Sequence, residues 1–259
     1  MSYYNLISLM PKTPAVDPDA QAFITAAGIT NATQKTAVNQ LVLNLKSYSL
    51  WTKMNAIYPI VGGTSSSHAV NLKSPGTYNL SFSSGWTHTS LGMTPSGAYA
   101  DTNLNSDTGV VILQNSAHIS FYSRTNSVNN YQMDMGAKDN LYLSAKYGTG
   151  YGIINNLNVS GFGGDITNTD SRGFYLSTRT ASNVTKVFQN NTLKRTDTRS
   201  SSTFVSQGNI TIGRYNAGGL DYTNRQYAFA SIGSGLTDTD AANFYTAVQA
   251  YQTTLSRQV

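Results

Sequence analysis

The residues best suited to metal chemistry are three histidines, His68, His88 and His118. None lies at the His-x-x-x-His spacing that places two ligands on one face of a helix. A structural zinc site draws on cysteine, histidine and carboxylate ligands, and the chain contains neither cysteine nor glutamate. The sequence therefore predicts no histidine metal centre, no disulfide and no thiolate chemistry.

Oxygen ligands for calcium cluster in the segment GGDITNTD, which contains Asp165, Asn168 and Asp170. Carboxylate and amide oxygens on one loop are the ligands that calcium prefers. The spacing does not match an EF-hand loop, and such turns usually bond to their own backbone. We therefore keep calcium as an alternative, favour a simple turn, and expect no cofactor.

The composition also excludes several enzyme classes. All 12 acidic residues are aspartates, so no glutamate can act as a general acid, nucleophile or ligand. The chain has no G-x-S-x-G motif, and the GSG at 233–235 lacks the lysine of a phosphate-binding loop. We expect a protein that is not an enzyme.

Two loop-like segments carry residues suited to sugar binding, in which aromatic faces stack on sugar rings and polar groups bond to hydroxyls. SGWTHTS contains Trp86 and His88, and SGAYADTN contains Tyr99 and Asp101. These four are the candidate glycan contacts. The alternative, which we favour for Trp86, places that ring in the protein core.

Charge and hydropathy argue against nucleic acid and membranes as partners. The net charge is +5 and the pI about 9.3, but the basic residues are scattered apart from LKRTDTR at 193–199. Nucleic-acid binding needs a clustered basic stripe, so we expect none. The N-terminus lacks the pattern of a signal peptide, and no stretch approaches the ~20 apolar residues of a membrane span.

The elements follow from periodicity. Residues 17–60 show helical spacing, opened by Asp17 and Pro18 and continued through Met54, Ile57 and Tyr58. Residues 61–235 alternate with period two between turn residues, which predicts a sandwich or jelly roll. Residues 236–259 predict a helix that begins with a capping box of Thr237 and Asp240.

Residues 1–16 form an apolar N-terminal arm. Its large side chains are Tyr3, Tyr4, Leu6, Ile7 and Leu9, followed by Met10. Two interpretations stay open, a strand added to the main sheet and an arm that grips a neighbouring subunit.

Two stretches together resemble a group of tailed-bacteriophage virion proteins. They are DPDAQAFITAAGITNATQKTAVNQLVLNLKSYSLWTKMNAIYPIVGG and FASIGSGLTDTDAANFYTAVQAYQTTLSRQV. Between them, HISFYSRT, GFYLSTRT and ITIGRY resemble strands of a concanavalin-like, laminin-G-like sandwich.

This resemblance implies a mainly β jelly-roll sandwich with N-terminal helices and a C-terminal helix. It also implies a non-enzymatic part of a tail, fibre or head surface, made in the host cytoplasm and incorporated into the virion. Such a part acts by self-assembly with other virion proteins, as a homo-oligomer. The alternative is a carbohydrate-binding adhesin that recognises a host surface glycan.

Overall fold

The computed structural model describes residues 15–106, 112–127, 132–138, 141–148, 152–159, 165–202, 208–215 and 222–259. Its helices are α1 (Pro18–Ala26), α2 (Ala32–Ser47), α3 (Ser65–Ala69) and α4 (Asp238–Thr254), with a 3-10 turn at Trp51–Lys53. The strands are β1 (Met54–Tyr58), β2 (Ser81–Phe82), β3 (Trp86–Thr89), β4 (Gly92–Pro95), β5 (Ala100–Asn105), β6 (Ala117–Ser123), β7 (Met135–Gly136), β8 (Leu141–Ser144), β9 (Ile154–Leu157), β10 (Gly173–Ala181), β11 (Val184–Gln189), β12 (Thr192–Asp197), β13 (Asn209–Ile212) and β14 (Tyr227–Gly233).

These strands form two antiparallel sheets. The eight-stranded sheet has the order β12-β11-β10-β6-β14-β4-β3, and β1 also pairs with β14. The six-stranded sheet has the order β2-β5-β13-β7-β8-β9. Neighbouring strands are often far apart in the chain, so most of the fold depends on long-range pairing.

Three layers result from the alternation of side chains along the strands. On β6, Ile119 and Phe121 point into the core between the two sheets, while Tyr122 points to the opposite side. On β10, Tyr175 joins the core between the sheets and Phe174 faces the helices. The eight-stranded sheet is therefore buried on both faces, between the helices and the smaller sheet.

The helical layer explains the apolar stripe of α4. Phe244 on α4 packs edge-on against Phe174 and Phe229 of the large sheet, with ring centroids 5.2 and 5.9 Å apart. Helix α2 packs beside α4 and contributes Val38 and Leu41 to the same core. The predicted capping box of α4 is confirmed, with Asp240 accepting hydrogen bonds from the backbone and hydroxyl of Thr237.

One predicted element is wrong. Residues 54–58 form strand β1 rather than the end of a helix, because they pair with β14. A register shift between Met54 and Ala56 puts Met54 and Ile57 on the helical side and Tyr58 on the other. This bulge reproduces the three-residue spacing of a helix face, which is why the pattern predicts the wrong element.

Two smaller differences concern the predicted sandwich region. The short helix α3 interrupts it, because Thr64 and Ser67 form a capping box. In the apolar run VVILQ at 110–114, which lies within the region of predicted alternation, residues 112–114 contain only an isolated bridge at Leu113. The predicted fold class is confirmed, a mainly β sandwich with N-terminal helices and a C-terminal helix. Of the helices that the structure describes, none has the length and hydropathy to cross a membrane.

Candidate functional site on the smaller sheet

The outer face of the smaller sheet carries polar side chains along β5. Ala100 and Leu104 of this strand are buried in the core between the sheets. Asp101 and Asn103 alternate with them, so they point to the outer side, and Asn103 is exposed. In the described part of the chain, helices α1, α2 and α4 pack on the other sheet and leave this surface facing outward.

Hydrogen bonds hold these polar groups in place. The Asp101 carboxylate accepts from the Asn103 backbone at 2.7 Å and from the Asn209 amide at 3.0 and 3.2 Å. The Asn103 amide donates to the Asn79 carbonyl at 2.7 Å and to the Ser81 hydroxyl at 2.9 Å. The backbone of Asn103 is left-handed, with φ 55°, a conformation that asparagine tolerates better than most residues.

A cation–π contact extends this surface at the start of β5. The guanidinium carbon of Arg214 lies 3.5 Å from the ring centroid of Tyr99 and 5.6 Å from that of Tyr222. An Arg214 amino group also donates to the Tyr222 hydroxyl at 3.2 Å. Arg214 follows β13, which pairs with β5 and so brings it to Tyr99. We call Tyr99, Asp101, Asn103, Asn209 and Arg214 the recognition strip.

The other two candidate glycan contacts lie on a different strand. Trp86 and His88 are on β3, at the edge of the larger sheet. The Trp86 ring is half-buried against the core, and its centroid lies 5.6 Å from that of Phe82. Its Nε1 is buried and has no hydrogen-bond partner among the described residues.

Trp86 nevertheless supports the recognition strip. A Cβ added to Gly213, the neighbour of Arg214, would lie 3.2 Å from the Trp86 ring and 3.0 Å from the Ala98 carbonyl oxygen. Gly213 also has φ 92°, which disfavours any side chain there. Trp86 therefore packs beneath the turn that carries Arg214.

His88 contacts His68, a pairing that the sequence does not predict. Their Nδ1 atoms are 2.9 Å apart, and the Gly63 N–H donates to Nε2 of His68 at 3.2 Å. Burial, together with smaller effects of His88 and Arg257, lowers the pKa of His68 to about 3. Burial also lowers the pKa of His88.

His118 is buried on the helical side of the large sheet. Its Nδ1 lies 2.6 Å from the Ser234 carbonyl oxygen and its Nε2 3.0 Å from the Ser231 hydroxyl. Burial lowers its pKa to about 4, against a smaller opposing effect of the Ser234 contact. Over the residues with described positions, no group of three metal-ligating side chains of the His, Cys, Asp or Glu type comes together.

Two of the three candidate calcium ligands have other partners. Asp170 forms an ion pair with Arg172 at 2.7 Å. The Asn168 side chain is buried, and its amide donates to the Ala145 carbonyl at 2.7 Å and the Tyr175 hydroxyl at 2.9 Å. Asp165 is exposed. The structure therefore supports the turn interpretation of this segment.

The short basic segment is also engaged within the chain. Arg199 forms a two-pronged ion pair with Asp197, and Arg195 donates to the Asn155 side chain. The residues of the proposed arm, Tyr3, Tyr4, Leu6, Ile7 and Leu9, lie outside the described residues.

No protein-family model matches this chain, and no curated protein matches it. Among solved structures, the chain is similar to botulinum neurotoxin type C, in a structure concerned with its interaction with two ganglioside molecules. The identity is 12% and the TM-score 0.53, over 78% of this chain and 53% of the toxin chain.

It is also similar to a Trypanosoma rangeli sialidase in complex with 2,3-difluorosialic acid, at 7% identity and TM-score 0.53, over 82% of this chain and 38% of that one. A third structure is domain 4 of AbnA, an extracellular arabinanase from Geobacillus stearothermophilus, with arabinotriose. There the identity is 11% and the TM-score 0.48, over 74% of this chain and 98% of the domain.

This chain spans about half the length of the toxin chain and 38% of the sialidase chain. At such identities the similarity concerns the fold alone. The chain is a β-sandwich protein.

Proposed function

We propose that this chain is a non-enzymatic structural component of a bacteriophage particle, and that it presents a carbohydrate-recognition surface. The observation that carries the recognition part is the recognition strip, in which Tyr99, Arg214 and Asp101 lie together on the outward face of the smaller sheet.

The strip has the chemical groups that sugars require. The Arg214 guanidinium lies over the Tyr99 ring and both side chains are half-buried, so an aromatic ring and a cationic hydrogen-bond donor lie together at this surface. Beside it, Asp101, Asn103 and Asn209 supply carboxylate and amide groups that are already held in position. A preformed polar and aromatic surface binds with little loss of side-chain entropy.

A glycan array tests the recognition proposal, followed by titration of the best ligand by calorimetry. The array includes gangliosides and sialylated glycans, because two of the similar structures concern ligands of these kinds. Tyr99→Ala and Asp101→Asn are expected to weaken binding at least tenfold. Thr196→Ala, on the exposed edge strand β12 of the other sheet, is the matched control and should leave binding unchanged. Equal binding by all variants would show that the glycan site lies elsewhere. A wild type that binds no glycan would refute the recognition proposal.

The observation that supports the particle role is the helical layer. The two stretches that resemble phage virion proteins stand at opposite ends of the chain, yet they fold together. Helix α2 packs on α4, and Lys53 forms an ion pair with Asp240 at 2.6 Å. The Tyr251 hydroxyl also donates to the Pro59 carbonyl at 3.0 Å. The resembling segments thus form one structural unit.

This packing also limits how the protein would assemble. The apolar stripe of α4 is buried inside the chain, so it is not free to bind another subunit. We propose instead that the apolar side chains of residues 1–16 contact other virion proteins or further copies of the chain.

Light scattering measures the mass of the full chain, of a variant lacking residues 1–16 and of Leu6→Asp/Ile7→Asp. A defined oligomer that dissociates in both variants is expected. Leu43→Asp, at a leucine of α2 that is 38% exposed, is the control and should keep the oligomer. An oligomer that survives both changes would refute the assembly role of the arm.

Particle incorporation gives the second readout. The same variants are expressed during infection, and purified particles are probed with an antibody against this chain. Absence of the wild-type protein from purified particles would refute the virion assignment.

A further inference from the structure

The β3–β4 hairpin joins the rest of its sheet through few backbone pairs, although Met93 and Trp86 pack against the core between the sheets. β3 is an edge strand, and in the described ladders its partner is β4. β4 in turn pairs with β14 through one register pair, Met93 with Tyr227, whereas β6 pairs with β14 along most of its length. The backbone ladder alone therefore holds this hairpin loosely.

A histidine contact adds a polar attachment to this core packing. His88 on β3 meets His68 on α3, with their Nδ1 atoms 2.9 Å apart. His68 is fully buried, whereas His88 is half-buried and packs edge-on against Phe82 at 4.8 Å. The contact thus joins the edge strand to a helix outside its sheet.

The surrounding hydrogen bonds assign the protons of both rings. The Gly63 N–H donates to Nε2 of His68, so this nitrogen carries a lone pair and the proton lies on Nδ1. His68 then donates from Nδ1 to Nδ1 of His88, whose own proton lies on Nε2. A metal bridging the two Nδ1 atoms would require a proton on Nε2 of His68, directed at the Gly63 N–H. The arrangement therefore suits a neutral pair and disfavours a metal.

We propose that the His68–His88 contact is an acid-sensitive clasp that holds the β3–β4 hairpin to the body of the sandwich and releases it when His88 is protonated. A proton on Nδ1 of His88 would place two N–H donors 2.9 Å apart, so the hydrogen bond becomes a repulsion.

The surrounding charges favour release. The charged group that acts on His68 is the buried guanidinium of Arg257, which is bonded to backbone carbonyls and to Gln252. Phe82 and Trp86, the other rings beside His88, do not titrate. A positive charge on the pair would therefore face Arg257 and apolar rings, whereas a released His88 would be solvated.

The stability of the clasp decreases as pH falls, because the pKa values of both histidines are lowered in the folded protein. The clasp is fully stable above the ordinary histidine pKa of about 6.5 and weakens as pH falls below it. At pH 5, about 1.5 units below that pKa, a single histidine that binds its proton only in the released state shifts the equilibrium by about 30-fold.

Amide hydrogen exchange, read by mass spectrometry, tests the clasp in the intact chain. The protection factor of amides 86–95, corrected for the intrinsic rate at each pH, is compared between pH 8 and pH 5. We expect a fall of about 10- to 30-fold in the wild type. Amides of α2 report the global loss of stability that protonation of His118 causes, and their fall should be the same in the wild type and in His88→Asn.

Two variants separate the clasp from other titrations. His88→Asn places a non-titrating acceptor where Nδ1 lies, so the hairpin should stay protected at pH 5. His88→Phe keeps an aromatic ring and removes the hydrogen bond, so the hairpin should be poorly protected at both pH values. The proposal is overturned by unchanged protection of amides 86–95 in the wild type, by an equal fall in His88→Asn, or by a fall in α2 that His88→Asn also removes.

Discussion

A buried ionic network joins the two sheets, and its removal is the sharpest stability test. Asp134 precedes β7 of the smaller sheet, and Arg225 and Tyr227 lie at the start of β14 in the larger one. An Arg225 amino group lies 2.6 Å from one Asp134 oxygen, and the Tyr227 hydroxyl lies 2.6 Å from the other. The Ala145 N–H donates to the same carboxylate at 2.8 Å, and both ionic side chains have no exposed surface.

The perturbation is Arg225→Met, which keeps an apolar chain of similar length and removes the charge. It leaves the Asp134 carboxylate buried with neutral donors only, and it deprives the Lys146 carbonyl of a donor. Breaking a buried ion pair by removing one partner costs about 3–5 kcal/mol. We expect a loss of this size in the free energy of unfolding, and the same for Asp134→Leu.

The double variant Arg225→Met/Asp134→Leu should cost less than the sum of the two single changes, by about 2 kcal/mol or more, because neither charge is then left alone. Urea unfolding followed by circular dichroism measures all four proteins. Arg172→Met is the matched control, since its exposed ion pair with Asp170 should contribute little to stability. Additive losses, or a loss for Arg225→Met no larger than for Arg172→Met, would refute the proposed coupling of the two charges.

Three further predictions use the same unfolding assay. Thr237→Ala removes the capping hydroxyl of α4 and should cost about 1 kcal/mol, whereas Thr246→Ala, at an exposed helix-interior position, should cost less; a reversed order would contradict the cap. Arg257→Met should lower the free energy of unfolding by about 3 kcal/mol, because its guanidinium donates to the Ile60 and Ala228 carbonyls in the interior. A loss below about 1 kcal/mol would show that water replaces these hydrogen bonds. His118→Gln should flatten the pH dependence of the free energy of unfolding. Burial lowers the pKa of His118 to about 4, so the wild type should lose about 2–3 kcal/mol as pH falls from 7 to 4.5. An equal loss in the variant would assign the effect to other groups.

Local signals in the sequence predict α1, α2, α4 and many of the strands. The Thr237 and Asp240 capping box acts within one turn, so its spacing alone locates the start of α4. The alternation in β6 and β10 likewise reports which side chains face each layer. β1 could not be predicted from local spacing, because its bulge depends on pairing with β14, which lies far away in the chain.

The candidate site likewise combines contacts that local sequence predicts with contacts that depend on long-range pairing. Tyr99 and Asp101 are two residues apart, so a strand places them on one side, and their proximity follows from sequence. Arg214 joins them only through the pairing of β13 with β5, and His68 meets His88 only through the position of α3 beside β3. Neither contact has a local signal. Strand order and register decide both, and composition carries no information on either.

Glycan binding by the wild type and by Tyr99→Ala, compared at pH 7.5 on the same array, tests the recognition strip most directly. We predict saturable binding to at least one glycan by the wild type and a loss of at least tenfold in Tyr99→Ala, with the unfolding transitions of the two proteins alike. Binding that is unchanged in Tyr99→Ala, or a wild type that binds no glycan, would contradict the proposed recognition role.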